Sequence, residues 1–242
     1  MIGLLQKNWD EHVAHAEEVA RTPSFRTLRD QVLSLASPRS VDEVVDLGSG
    51  TGLLSLAVAP HSQHVWAVDI SARMGDYLRT KAASQGLENI DIATASVTSL
   101  PLADGVADLV VSNYCFHHLC DADKKRALEE VMRILAPGGR LVFADMIFRV
   151  GLAAPRDRRI ALGKARLLLR RGLPGLARLL RHVLRQGLGR GERPADAAWW
   201  TDALHAAGFE QIDLKLLANE AGIAIAHKRA RLATGSSQST EA

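Results

Sequence analysis

From Val41 onward, short apolar-rich runs alternate with amphipathic stretches. VDEVVDL, HVWAVDI, NIDIATA, ADLVVSN and RLVFADM have strand length and little polar interruption, the pattern of strands covered on both faces. LLSLAVA reads as a helix stopped by Pro60. Ser71 to Gln85 reads as a helix capped by Ser71 and stopped by Gly86. Asp121 to Ala136 reads as a helix ended by Pro137-Gly138-Gly139, just before the fifth strand. A late helix, PADAAWWTDALHAAGF, precedes two further strands, EQIDLKLLA and GIAIAHKR. Upstream, residues 4–36 read as helical, broken near Thr22-Pro23-Ser24, with Trp9, Val13, Ala16 and Ala20 at helical spacing. Strand–helix alternation of this kind predicts an α/β fold, doubly wound around a mostly parallel seven-stranded sheet.

One stretch interrupts the alternation. Leu176, Leu179, Leu180, Val183 and Leu184 follow helical spacing, with Arg178, Arg181 and Arg185 off that face. Gly172 and Pro174 divide the stretch into two basic amphipathic helices, expected as a cap on the sheet. The organisation expected is therefore N-terminal helices over 1–40, a core from 41–149 and 194–229, a helical insert at 150–193 and a loose polar tail at 230–242.

Charge sharpens this division. The net charge is only +3, yet residues 151–190 hold ten Arg, one Lys and one acid, a local +10 that leaves −7 for the rest. An acidic body with one basic insert makes peripheral contact with an anionic membrane through 151–190 an open alternative to a simple lid. No run of eighteen apolar residues is present, and Lys7, Trp9, Asp10 and Glu11 stand where a secretory signal needs an apolar core. With only two cysteines, a cytoplasmic protein is expected.

The chemistry concentrates after the first strand. In VVDLGSGTG, Gly48, Gly50 and Gly52 follow a buried strand and precede a helix, so backbone can approach a ligand where Cβ atoms would intervene. The same turn could be a plain connector. Leu53 occupies the position where the dinucleotide pattern requires glycine, and no Gly-Lys-Ser/Thr follows. Asp69, at the tip of the second strand, is placed to accept ribose hydroxyls, or to favour the next helix as an N-terminal acid.

Together with Asp46, these stations resemble the class I S-adenosylmethionine-dependent methyltransferases. ASVTSLPLADGVADLVVSN and RILAPGGRLVFADM resemble later stations of the same family, over about residues 1–149 and 194–229. The resemblance implies S-adenosylmethionine as cofactor. It implies that Asp46 and the Gly48–Gly52 turn, Ser49 included, hold the methionine half. It places Asp69 on the ribose, Ile70 and Met74 against adenine, Ser96 and Val97 at the adenine edge, and Asn113 beside the sulfonium. Many relatives carry Asp where Ser96 stands, which leaves the adenine amino contact weaker or to backbone.

Past the fourth strand, Cys115-Phe116-His117-His118 sits at the rim of that site. His117 or His118 could serve as a general base, or both could shape the loop. No metal is expected, since Cys115 and Cys120 have no second pair. Of Trp199 and Trp200, one is expected in the core and one toward substrate; His15 is expected in solvent. The reading favours methyl transfer to a small, lipophilic acceptor. The alternatives are a phospholipid N-methyltransferase, an RNA methyltransferase using the basic insert, or a binding protein with a vestigial cofactor fold. Ser112-Asn113-Tyr114-Cys115 departs from the Asn-Pro-Pro-Tyr type that methylates base amines, which argues against nucleic acid.

Overall fold

The computed structural model describes residues 8–148, 155–169 and 193–230. Seven strands form one sheet in the order β3-β2-β1-β4-β5-β7-β6: β1 (Glu43–Leu47), β2 (His64–Asp69), β3 (Ile90–Thr94), β4 (Ala107–Asn113), β5 (Leu135–Met146), β6 (Glu210–Leu216) and β7 (Ala221–His227). β1 to β5 pair in parallel, whereas β7 runs antiparallel to both β5 and β6. The expected doubly wound, mostly parallel sheet is present. Its central strands are apolar because both faces are covered; Val44, Val45 and Leu47 of β1 are fully buried.

Two cores lie on opposite faces. Leu28 and Val32 of α2 (Pro23–Ala36) and Val58 of α3 (Ser55–Val58) pack with Val44, Val142 and Ile223. On the other face, α5 (Asp121–Ile134) supplies Leu128 and Val131, which pack with Phe116, Phe143 and Trp200. Those three rings meet pairwise at centroid distances of 4.7–5.5 Å. Truncating a ring so enclosed costs about 3–5 kcal/mol. Trp200 lies on the late helix, α7 (Ala197–Ala206), whose N-cap Asp196 accepts from the Trp199 amide. The remaining helices are α1 (Val13–Ala20), α4 (Ala72–Ser84) and α6 (Pro155–Leu169).

One boundary differs from the sequence reading. Pro137-Gly138-Gly139 does not separate α5 from β5: the helix ends at Ile134 and the strand begins at Leu135. The pairing with β4 jumps from Ala107–Leu135 to Leu109–Arg140, so the tripeptide is a bulge inside the strand. Gly139 is required there, since a Cβ would stand 2.9 Å from the Ala136 carbonyl oxygen. The expected stop at Pro60 is present: α3 ends at Val58, and Pro60 lies in the 3-10 turn Ala59–His61 that follows.

The basic insert is seen in part. Its first helix is α6, while Leu176, Leu179, Leu180, Val183, Leu184, Arg178, Arg181 and Arg185 lie outside the described residues. Both described ends are anchored at the carboxyl edge of the sheet. The Arg156 guanidinium donates to the carbonyls of Ile147, Leu217, Asn219 and Ala221, which ties α6 to the ends of β5 and β7. At the other end, the Arg193 amide donates to the His117 carbonyl at 2.7 Å, and the Lys124 ammonium donates to the Arg193 carbonyl at 2.6 Å.

Candidate active site

Parallel strands deliver their carboxyl ends to one edge, so the turns after β1, β2 and β4 meet there. The glycine turn after β1 is held against β2: the amides of Gly48 and Ser49 both donate to the Val68 carbonyl. Asp69 closes the turn, its carboxylate accepting from the Gly50 amide at 2.8 Å and from the Ser71 amide at 2.9 Å. Burial raises the Asp69 carboxyl above its ordinary value, against the lowering pull of these amides.

Gly48, Gly50 and Gly52 all have positive φ, at +66°, +52° and +89°. A Cβ at Gly52 would run into Leu78, and one at Gly48 into Cys115. A Cβ at Gly50 would meet nothing closer than 4.0 Å, so this glycine leaves open space above the turn.

Asp46 is fully buried in the end of β1 and accepts from the Ser55 hydroxyl. Desolvation pushes its carboxyl up to about 7, the Ser55 hydrogen bonds only partly offsetting it. Across the β1–β4 junction, Ser49 Oγ and Asn113 Oδ1 are buried without a hydrogen-bond partner. Unsatisfied buried polar atoms are costly in a folded protein and suit a ligand that supplies both acceptors and donors. The methionine end of S-adenosylmethionine does so: its carboxylate accepts from a hydroxyl and its ammonium donates to an amide oxygen.

Ser96, just past β3, spends its hydroxyl within its own loop, on Thr98 Oγ1 at 2.8 Å and the Thr98 amide at 3.2 Å. Val97 is buried. Ile70 and Met74 divide: Ile70 is 42% exposed beside Asp69, whereas Met74 is 3% exposed in the first turn of α4. The Met74 amide donates to the Ser71 cap, as the sequence anticipates.

The segment before α1 crosses over this edge. Asp10 accepts from the Ser71 hydroxyl at 2.5 Å and from the Arg73 amide at 3.3 Å, which holds its carboxyl below the usual range. Glu17 of α1 pairs with Lys81 at 2.9 Å, and the same ammonium reaches the Thr51 carbonyl of the glycine turn. Trp9 lies on His118 with ring centroids 4.5 Å apart.

His117 and His118 part company. His118 is exposed, while His117 is buried, its Nδ1 2.7 Å from Asp145 Oδ1. Asp145 also accepts from the amides of Phe116 and His117, which fixes the loop onto the end of β5. Sequence reasoning missed Asp145, Asp10 and Ser55; an acid closing the apolar run RLVFADM was the one available signal. Trp200 is the core tryptophan, and Trp199 covers the Lys124 ammonium at 5.3 Å. Among the described residues no group of three or more His, Cys, Asp or Glu gathers as a metal site.

A methyltransferase domain model matches residues 44–139, which span β1 through the bulge of β5 and so contain the glycine turn, Asp69 and Asn113. In this part the chain is similar to the class I S-adenosylmethionine-dependent methyltransferases. S-adenosylmethionine is the cofactor expected of a domain of this kind. An uncharacterized methyltransferase of Geobacillus kaustophilus is 34% identical over 120 residues, 50% of this chain and 54% of that protein. A dimethylglycine N-methyltransferase of Parasynechococcus marenigrum is 40% identical over 135 residues, 54% of this chain and 47% of its own length. The chain thus spans about half the length of the curated relatives it matches. Among solved structures, a SAM-dependent methyltransferase from Aquifex aeolicus superposes with a TM-score of 0.62 at 17% identity, covering 89% of this chain and 97% of that one. The [4+2]-cyclase SpnF superposes equally well, with a TM-score of 0.63 at 19% identity over 86% of this chain and 82% of its own. At such identities the likeness shows the fold alone.

Proposed function

We propose that this methyltransferase moves a methyl group from S-adenosylmethionine to a small, lipophilic acceptor. The observation that carries the cofactor half is the orphaned pair, Ser49 Oγ and Asn113 Oδ1, beside a glycine turn clasped by Asp69. Asp46, Ser49, Gly50 and Asn113 would hold the methionine end, Asp69 the ribose, and Ile70, Met74, Ser96 and Val97 would surround adenine. The cofactor supplies a methyl already activated by positive sulfur, so the chain's task is chiefly to align the acceptor and exclude water, worth about 7–11 kcal/mol when geometry is near attack. Aromatic side chains support a lipophilic acceptor: Tyr114, next to Asn113, packs at a tilt against Phe25 at 4.8 Å, and Trp9 packs against His118. Calorimetry with S-adenosylmethionine tests the first half. Incubation with methyl-labelled cofactor and separated extracts tests the second: label should enter the lipid-soluble fraction, and label confined to the water-soluble fraction would refute a lipophilic acceptor.

A second reading concerns delivery. Arg158, Arg159, Leu162 and Arg166 are all exposed on α6, with Leu162 at 59%. An apolar side chain among arginines suits an anionic bilayer surface, each cation adding about 1 kcal/mol. No described helix is long and apolar enough to cross a membrane, so such contact would be peripheral to a cytoplasmic protein. Flotation on anionic but not neutral liposomes, lost when the three arginines become Gln, is the expected result. No flotation at low salt would refute it.

A further inference from the structure

We infer that His117 and Asp145 form a proton-accepting pair, with His117 Nε2 as the base and Asp145 as its positioning residue, for an acceptor that arrives as a hydroxyl. The inference rests on the methyl-transfer reading above. A carboxylate can only accept, so Asp145 Oδ1 at 2.7 Å requires the imidazole proton on Nδ1 and leaves the Nε2 lone pair bare. Among the described residues, no hydrogen-bond partner occupies Nε2.

Asp145 is itself immobilised. Its oxygens accept from the amides of Phe116 at 2.7 Å, His117 at 3.2 Å and Met146 at 2.6 Å, so the ring is aimed by the backbone of β5 and of the loop after β4. That loop begins directly after Asn113, where Tyr114 takes φ +55° and sets its ring edge-on to His117 at 5.5 Å. The His118 ring packs against His117 at 3.8 Å, its plane tilted by 49°. The groups facing His117 are thus Asp145 from β5, Tyr114 and His118 from its own loop, and Arg193, whose amide donates to the His117 carbonyl; the Cys115 thiol in turn feels the charge of Asp145.

The chemistry selects the acceptor class. A neutral amine attacks through its lone pair and sheds its proton to water afterwards, without a base. A hydroxyl is a poor nucleophile until its proton leaves. As the acceptor oxygen–carbon bond forms, the carbon–sulfur bond breaks, the sulfur keeps that electron pair, and the hydroxyl proton passes to Nε2. The resulting imidazolium, paired with Asp145, then releases its proton to solvent.

The test uses the full chain. Nitrogen NMR of histidine-labelled, ligand-free protein should show His117 with its proton on Nδ1 and bare Nε2, and Asp145→Asn should abolish that preference. A proton on Nε2 in the unaltered protein would overturn the pairing. Methyl transfer is then measured to para-substituted phenols of graded acidity, from 4-methoxyphenol to 4-nitrophenol. His117→Gln should slow the least acidic phenols by about 10²–10⁴-fold, leave 4-nitrophenol little changed, and remove the acid limb of the kcat–pH profile. Equal losses on all phenols, or no phenol methylated although calorimetry shows cofactor bound, would overturn the inference. Failure of the unaltered protein to bind S-adenosylmethionine would instead overturn the methyl-transfer reading, and this inference with it.

Discussion

Gly48 and Cys115 are pressed together so closely that a Cβ on Gly48 would lie 2.5 Å from the Cys115 sulfur and 2.7 Å from its Cβ. The glycine turn after β1 and the loop after β4 are therefore one packed unit, and the positive φ at Gly48 adds a second reason for glycine. Gly48→Ala should lower stability by about 1–3 kcal/mol through overpacking and φ strain. Chemical denaturation with and without Cys115→Gly checks this, because part of the loss should return in the double variant. Burial also raises the Cys115 thiol well above its ordinary value, so Cys115 should react slowly with thiol reagents at pH 8.

Asp69 does two jobs that one substitution would confound. Its carboxylate already holds the Gly50 and Ser71 amides before any cofactor arrives. Asp69→Ala should therefore weaken cofactor binding at least tenfold and also destabilise the free protein, by about 1–3 kcal/mol for the unsatisfied amides. Asp69→Asn, which keeps an acceptor, should restore most of the stability but not the affinity. Calorimetry paired with thermal melts separates the two effects.

Asp46 should leave a pH signature. The folded protein holds its proton up to about 7, whereas an unfolded chain releases it near the ordinary carboxylate value of about 3.9. Between those values the unfolded state binds fewer protons, so this group's contribution makes stability fall as pH rises from about 4 to 7. Asp46→Asn should flatten that decline and raise the stability of the free protein above pH 7. A cofactor ammonium nearby favours the ionised form, so binding below pH 7 should release a proton, and affinity should drop as pH falls through 7. Calorimetry in buffers of different ionisation enthalpy measures that proton directly.

Lys124 is a fully buried lysine whose ammonium joins Asp121 at 2.9 Å to the Arg193 carbonyl at 2.6 Å. Lys124→Met fills the space but leaves that carbonyl unanswered. It should cost about 1–3 kcal/mol and expose the Arg193 end of the insert to limited proteolysis ahead of the core.

The strand pattern made the sheet legible, because parallel strands buried on both faces cannot carry many polar residues. The glycine turn and Asp69 were equally visible, since φ beyond +50° and a strand-tip acid both leave local signals. Asp145 was not, because its meaning lies in a partner 28 residues away in the chain. The same holds for Asp10, which meets Ser71 across 61 residues. The bulge at Pro137-Gly138-Gly139 reads locally like any helix-ending turn; only pairing with β4 reveals it as strand. Ile70 and Met74, adjacent in role by resemblance, separate because one stays on the rim and the other enters the first turn of α4.

The outer strand β6 carries a further consequence. An unpaired strand margin is a template on which other chains can polymerise. Here that margin exposes Glu210, Asp213 and Lys215, and Gln211 at φ +49° breaks the register with β7 between Glu210 and Asp213. Charge and bulge together deny an incoming strand a flat row of partners. At the opposite margin β3 is only five residues long and exposes Asp91. The sheet is thus terminated on both sides against aggregation, and Gln211 is a position where restoring regular strand geometry should make the protein more prone to form fibrils.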